Sequence, residues 1–196
     1  ITITVNDVNL PPVLAPIGSQ SVDEGRTLTF TASATDDDVP ANQLIYSLDP
    51  GAPLSATIDP NSGEFNWTPG ESHGGATFSV TVRVTDGGAA GLEDFETFEI
   101  SVVDINRAPL LAPIGDKRVD EENLLTFTAW AVDGDLPPNN LTFSLDSGAP
   151  SGATIDPVTG RFQWIPGEAD GAGEYPVTIR VVDDGVPSLH DFETIL

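Results

Sequence analysis

Apolar and polar residues alternate in short runs along the chain. Phe78, Val80, Val82 and Val84 are separated by Ser79, Thr81 and Arg83, and Tyr175, Val177, Ile179 and Val181 repeat the pattern near the other end. A period of two places all the apolar side chains on one face, so each run predicts a strand covering a core on one side only. Leu28, Phe30, Ala32 and Ala34 form another inward row, as do Phe65 and Trp67. Turn clusters such as Asp59-Pro60-Asn61-Ser62-Gly63 stand between the runs. Short strands punctuated in this way predict an all-β sandwich of about seven strands.

The runs recur as a set. "PVLAPIG" ends at Gly18 and "PLLAPIG" at Gly115, 97 positions later. The segment "GAPLSATIDPNSGEFNWTPGE", ending at Glu71, returns as "GAPSGATIDPVTGRFQWIPGE", ending at Glu168, and "DFET" ends at Thr97 and again at Thr194. A period this long means whole domains in tandem, not a solenoid whose units cannot fold alone. Trp67 and Trp164 hold equivalent inward positions, which points to core tryptophans. Ile1, Ile3 and Val5 align with Phe98, Ile100 and Val102. Residues 1–9 therefore read as the last strand and linker of a preceding repeat. Residues 10–105 read as the first repeat, and 106–196 as a second that lacks most of its last strand.

Charge narrows the functions. Against 31 Asp and Glu stand 7 Lys and Arg, a formal net charge of −24. No basic surface exists to neutralise phosphates, so nucleic acid is excluded as a partner, and anionic membranes are disfavoured for the same reason. Self-repulsion of this size invites divalent cations among the carboxylates. There is no cysteine, hence no disulfide and no thiolate chemistry. No apolar run is long enough to span a bilayer as a helix. His73 and His190 are not equivalent between the repeats, Lys117 is the only lysine, and no glycine-rich phosphate loop follows a strand. No enzyme is expected. Asn66-Trp67-Thr68 and Asn140-Leu141-Thr142 fit the N-glycosylation pattern, which matters only in a eukaryotic host.

Carboxylates and amides recur at loop positions. The first repeat has Asp36-Asp37-Asp38 with Asn42, then Glu24, Glu71 and Asp86; the second has Asp133-Gly134-Asp135 with Asn139, then Glu121, Glu168 and Asp183. Asp7-Val8-Asn9 and Asp104-Ile105-Asn106 lead into the two repeats. On these residues the chain resembles the cadherin-like repeats, especially the bacterial and dystroglycan-type branch. The resemblance implies two tandem immunoglobulin/cadherin-like Greek-key β-sandwiches, with the N-terminal segment as the last strand of a preceding one. It also implies calcium at the junction of the repeats, held by Glu24, Glu71, Asp104, Asn106, Asp133, Asp135, Asn139 and Asp183. Two half-sites follow by the same pattern. One would use Asp7, Asn9, Asp36, Asp38, Asn42 and Asp86, the other Glu121 and Glu168. Calcium takes six to eight hard oxygen ligands, and no single loop here supplies that many. The linker departs from the family, with Arg107-Ala108 where an acid and an amide would stand. Pro69 and Pro166 replace a further acid in the middle loop.

The expected function is a calcium-rigidified structural or adhesive module of a large extracellular or cell-surface protein. Its partners would be neighbouring repeats of the array, another copy, a surface protein or a polysaccharide. Two alternatives stand beside it. Trp130, where the first repeat has Ser33, has the outward parity of Thr126 and Thr128. Its ring either lies over a neighbouring strand or loop or marks the contact of a carbohydrate-binding accessory module of a secreted polysaccharide-handling protein. The segment "ITITV" and the unfinished second repeat would also allow strand donation, linking copies head to tail.

Overall fold

The computed structural model describes residues 1–4, 8–88 and 90–196. The chain divides into two compact units, Ile1–Ile105 and Asn106–Leu196. Each is a β-sandwich with its own core.

The first unit runs β1 (Val13–Leu14), β2 (Gln20–Asp23), β3 (Leu28–Thr31), β4 (Ala34–Thr35), β5 (Leu44–Leu48), β6 (Thr57–Ile58), β7 (Glu64–Trp67), β8 (Thr77–Asp86) and β9 (Glu93–Val103). One sheet has the order β2-β9-β8-β5, the facing sheet β3-β7-β6, and β1 pairs with β4. The β2–β9 pair is parallel and the others antiparallel. The alternation read along residues 78–84 is realised: Val80, Val82 and Val84 are fully buried, against Phe65 and Trp67 of the opposite sheet. Phe30 stacks on Phe65 with ring centroids 4.7 Å apart and meets Phe98 edge-on at 5.6 Å, so aromatic contacts cross between the sheets.

The inward row Leu28-Phe30-Ala32-Ala34 is one run in sequence and two strands in space. At Ala32 the chain leaves the β3-β7-β6 sheet for the two-stranded β1-β4 pair. β3 pairs with β7, and after the crossing β4 pairs with β1. The Ala32 N–H donates to the Gly63 carbonyl (2.9 Å), and the Ser33 carbonyl accepts from Ala15 N–H (2.8 Å). The Ala32 N–H and the Ser33 carbonyl are thereby satisfied at the crossing.

The second unit repeats the plan with β10 (Leu110–Leu111), β11 (Leu125–Thr128), β12 (Ala131–Val132), β13 (Leu141–Leu145), β14 (Thr154–Ile155), β15 (Arg161–Trp164), β16 (Val177–Asp183) and β17 (His190–Ile195). Its sheets are β13-β16-β17, β11-β15-β14 and β10-β12. Residues 117–120, equivalent to β2, are not a strand, because the positions equivalent to 100–103 fall after residue 196. Residues 1–4 are exposed and join no sheet among the described residues, so Ile1 and Ile3 lie outside both cores. Val5 lies outside the described residues.

Much of the acidity is spent on holding the fold. Asp94 and Glu96, both in "DFET", accept backbone N–H groups of Leu14, Ile17 and Gly18 at 2.6–3.0 Å, and Asp191 and Glu193 do the same for Leu111, Ile114 and Gly115. Asp59 and Asp156 close their turns by accepting the N–H groups of residues two and three further on. Those hydrogen bonds hold both carboxyls below their ordinary value. The charge therefore does not of itself require cations at every acid.

Arg83 and Arg180 make the same clamp in each unit. Each forks onto an aspartate, Asp49 or Asp146, through bonds of 2.8 and 2.7 Å, and lies 5.0 Å over a phenylalanine ring, Phe95 or Phe192. The guanidinium holds each aspartate carboxyl below its usual value. A carboxyl whose folded pKa is lowered stabilises the fold above the unfolded pKa, about 3.9, and loses that contribution as pH falls through the lower folded value. Acid unfolding of Asp146→Asn is therefore expected to show a shallower loss of stability below about pH 4 than the parent. Parallel acid limbs in urea unfolding at several pH values would refute this.

Candidate metal centres

Two acid clusters lie in the first unit. The first is built by loops at one end of the sandwich. Asp36 and Asp38 follow β4, Asn42 precedes β5, and Asp86 ends β8. Carboxylate oxygens of Asp36, Asp38 and Asp86 lie within 4.8 Å of one another. Asp38 and Asp86 are buried. Asn9 Nδ2 donates to Asp86 (2.7 Å), Asn42 Nδ2 donates to Asp38 (2.6 Å) and to Asn9 Oδ1 (2.8 Å), and Leu10 N–H reaches Asp38 Oδ1 (3.0 Å). Gly88 and Leu92 N–H both donate to Asp86 Oδ1. The D-x-D turn is local chemistry, since Asp36 Oδ1 accepts the Asp38 N–H at 3.0 Å. That leaves Asp36 Oδ2, a buried oxygen accepting no hydrogen bond among the described residues. Of the residues expected here, Asp7 lies outside the described residues. Asn9, Asp36, Asp38, Asn42 and Asp86 are brought together.

The second cluster joins Glu24, which follows β2, Glu71, which opens the short 3₁₀ turn Glu71–His73, and Asp104, which follows β9. Their oxygens again lie within 4.8 Å of one another. Glu24 is buried, Glu71 half-buried and Asp104 exposed. Three carboxylates this close repel one another unless a cation or proton offsets them. Gly74 makes room for them. A Cβ there would sit 2.5 Å from both Asp104 Oδ1 and Glu24 Oε2. The sequence reading missed that glycine, and only its position after the Glu71 turn pointed to it.

The second unit repeats the first cluster's hydrogen-bonded ring, although among the described residues its carboxylates do not form a group whose oxygens lie within 4.8 Å of one another. Asn106 Nδ2 donates to Asp183 (3.1 Å), Asn139 Nδ2 donates to Asp135 (2.7 Å) and to Asn106 Oδ1, and Arg107 N–H reaches Asp135 Oδ1 (3.1 Å). Asp133 Oδ1 accepts the N–H groups of Asp135 and Asn139. Asp133 Oδ2 is buried and accepts none among the described residues, as for Asp36. Arg107 replaces Leu10 without changing the main-chain bond, so the side-chain departure noted in the linker leaves this ring intact. Glu121 and Glu168, counterparts of Glu24 and Glu71, are exposed. The counterpart of Asp104 would follow residue 196.

His73 has a structural task. Its Nδ1 accepts the Gly70 N–H at 3.0 Å, and its ring lies edge-on to Trp67. In the second unit Asp170 accepts the Gly167 N–H at 2.8 Å instead. An aspartate substituting for the imidazole points to turn closure rather than to acid–base chemistry. Trp130 is 63% exposed, as its outward parity implied.

Solved structures share this architecture. Mouse cadherin-23 EC22-24 superposes with a TM-score of 0.54 at 21% identity, over 97% of this chain and 65% of that one. Drosophila N-cadherin EC1-4 gives 0.60 at 16% identity, over 95% and 49%. At such identities the likeness is one of fold, an Ig/cadherin-like sandwich, and it singles out no branch of the cadherins. Among curated proteins, lacto-N-biosidase of Bifidobacterium longum is 32% identical over 95% of this chain. Human protocadherin Fat 1 is 30% identical over 60% of it. The chain spans only 12% and 3% of those two proteins. The family model described as "Putative Ig domain" matches residues 11–103 and again 108–189, and the chain therefore belongs to the putative Ig domain family.

Proposed function

We propose that the chain is a non-catalytic, calcium-binding structural or adhesive module of a larger extracellular or cell-surface protein, in the manner of the bacterial and dystroglycan-type cadherin-like repeats. The observation that carries the reading is the duplicated ring of Asn9, Asp36, Asp38, Asn42 and Asp86. Asn106, Asp133, Asp135, Asn139 and Asp183 reproduce it, with one buried aspartate oxygen in each copy accepting no hydrogen bond. Buried acceptors are ordinarily satisfied, and a hard cation is the partner that suits clustered carboxylates. Asp36, Asp38 and Asp86, with the Asn9 amide oxygen, would hold an ion in the first unit. Asp133, Asp135, Asp183 and Asn106 would hold one in the second. Glu24, Glu71 and Asp104 supply further carboxylates. Calcium would contribute charge neutralisation and would fix the loops that carry its ligands.

Asp104 belongs to one acid set and Asn106 to the next, two residues apart in the chain. Ligation of both would restrict the backbone of the linker between the repeats. In an array, neighbouring repeats are then the natural partners, and stiffness is the property that calcium controls. The short coverage of lacto-N-biosidase and protocadherin Fat 1 supports a module within a larger protein. Thermal unfolding in excess chelator and in millimolar calcium tests the reading. A ligand at about 100 times its Kd stabilises by about 2.7 kcal/mol, which for domains of this size is roughly 10–20 °C. That rise is expected in the parent and is expected to shrink in Asp133→Asn/Asp135→Asn. Equal melting temperatures in both media would refute calcium binding.

A further inference from the structure

The chain between β11 and β12 makes the same sheet-to-sheet crossing as Ala32-Ser33, but carries Trp130 in place of Ser33. Both neighbours of the ring are anchored. The Trp130 carbonyl accepts Ala112 N–H at 2.8 Å. Ala129, buried, donates to the Gly160 carbonyl at 2.9 Å. The indole therefore projects from a fixed backbone, 63% exposed.

Beside it runs an open groove of about 570 Å³, bounded by Trp130, Asn140, Thr142, Val158 and Thr159. That is within the range of small-ligand sites, roughly 300–1,000 Å³. No charged side chain lines it. Asn140 is oriented by donating its Nδ2 to Asp184 (2.8 Å), which leaves its Oδ1 as an acceptor. Thr142 is exposed, and Thr159, also exposed, already donates its hydroxyl to Asp156 Oδ1 at 2.8 Å.

We infer that the Trp130 groove of the second unit is a binding site for a neutral oligosaccharide. A sugar ring has an apolar C–H face, which packs on the indole, and a rim of hydroxyls, which the Asn140 amide oxygen and the Thr142 hydroxyl can bond. The uncharged lining and the net charge of −24 disfavour anionic glycans. The first unit has Ser33, Gln43, Ile45, Asn61 and Ser62 at the corresponding positions and so lacks the aromatic platform. The inference does not rest on the cation reading, although Asn139 of the proposed cation ring also lines the groove.

The test uses the whole chain and follows its tryptophan indole N–H resonances. Trp67 and Trp164 are buried, so a ligand at the surface shifts Trp130 selectively. Cellohexaose, mannohexaose and N-acetylchitohexaose are the neutral probes, and polygalacturonate is the anionic control. Each is titrated in calcium and in chelator, so that loss of the cation effect and loss of sugar binding are read separately. At least one neutral probe is expected to shift the Trp130 signal saturably in both media, with no shift from polygalacturonate. Trp130→Ser, the first unit's own residue, is expected to weaken that binding by about 10-fold or more as measured by calorimetry. Trp130→Phe should recover part of it. The inference is overturned if none of the three sugars binds, if binding survives Trp130→Ser, or if the Trp130 signal shifts with protein concentration alone, which would assign the ring to a second copy of the chain.

Discussion

Replacing Trp67 by Ala is expected to lower the stability of the first unit by roughly 3–5 kcal/mol. The side chain is 1% exposed, beside the fully buried Phe65 and opposite Val80, Val82 and Val84. Phe78 meets its ring edge-on at 5.1 Å. Truncation removes the transfer free energy of the indole and leaves a cavity that flanking strands cannot close, because both sheets are held by cross-strand hydrogen bonds. For a domain with about 5–15 kcal/mol in total, the loss moves the melting temperature by on the order of 20 °C. Since each unit has its own core, hydrogen exchange should show protection lost over residues 64–67 and 77–86 but kept over 161–164 and 177–183. Uniform loss across both units, or no loss, would contradict this description of the cores.

Gly160→Ala should destabilise the second unit by roughly 2–4 kcal/mol, a large effect for one methyl group. Two costs add. Gly160 has φ +67°, a left-handed conformation that an L side chain adopts at a cost of about 1–2 kcal/mol. A Cβ there would also stand closer than 3.0 Å to the Ala129 carbonyl, which belongs to the crossing between sheets. The Gly160 carbonyl receives Ala129 N–H, so relief by backbone movement would break that bond. Gly63 has the same geometry against Ala32, with φ +72°. Urea unfolding measures the effect. A change under about 0.5 kcal/mol would mean the turn relaxes freely, and the close approach would not be a constraint.

The repeat and the core were readable because both rest on local pattern. Phe78 to Val84 alternates with a strict period of two, and the buried set follows it residue by residue. The loop acids were readable for a different reason. Asp36, Asp38 and Asn42 share one loop and Asp86 is distant in sequence, but the 97-residue offset repeats them together, and the resemblance supplied their grouping. The sheet switch at Ala32 and Ala129 was not legible. A continuous apolar row carries no mark of where the chain changes partner, and only the Gly63 and Gly160 turns that receive it fix the place. The work of Asp94, Glu96, Asp191 and Glu193 was also hidden. Their partners are backbone N–H groups about 80 residues earlier, which have no side-chain signature. Part of the strong negative charge is therefore accounted for by main-chain hydrogen bonds.

The central claim is that the repeated rings of aspartate and asparagine bind calcium. Isothermal titration of calcium into chelator-stripped protein tests it most directly, with Asp36→Asn/Asp38→Asn and Asp133→Asn/Asp135→Asn as separate controls. Saturable binding to the parent is predicted, with each double substitution removing the part contributed by its own unit. Absence of binding heat at millimolar calcium, or an isotherm unchanged by both substitutions, would contradict the account.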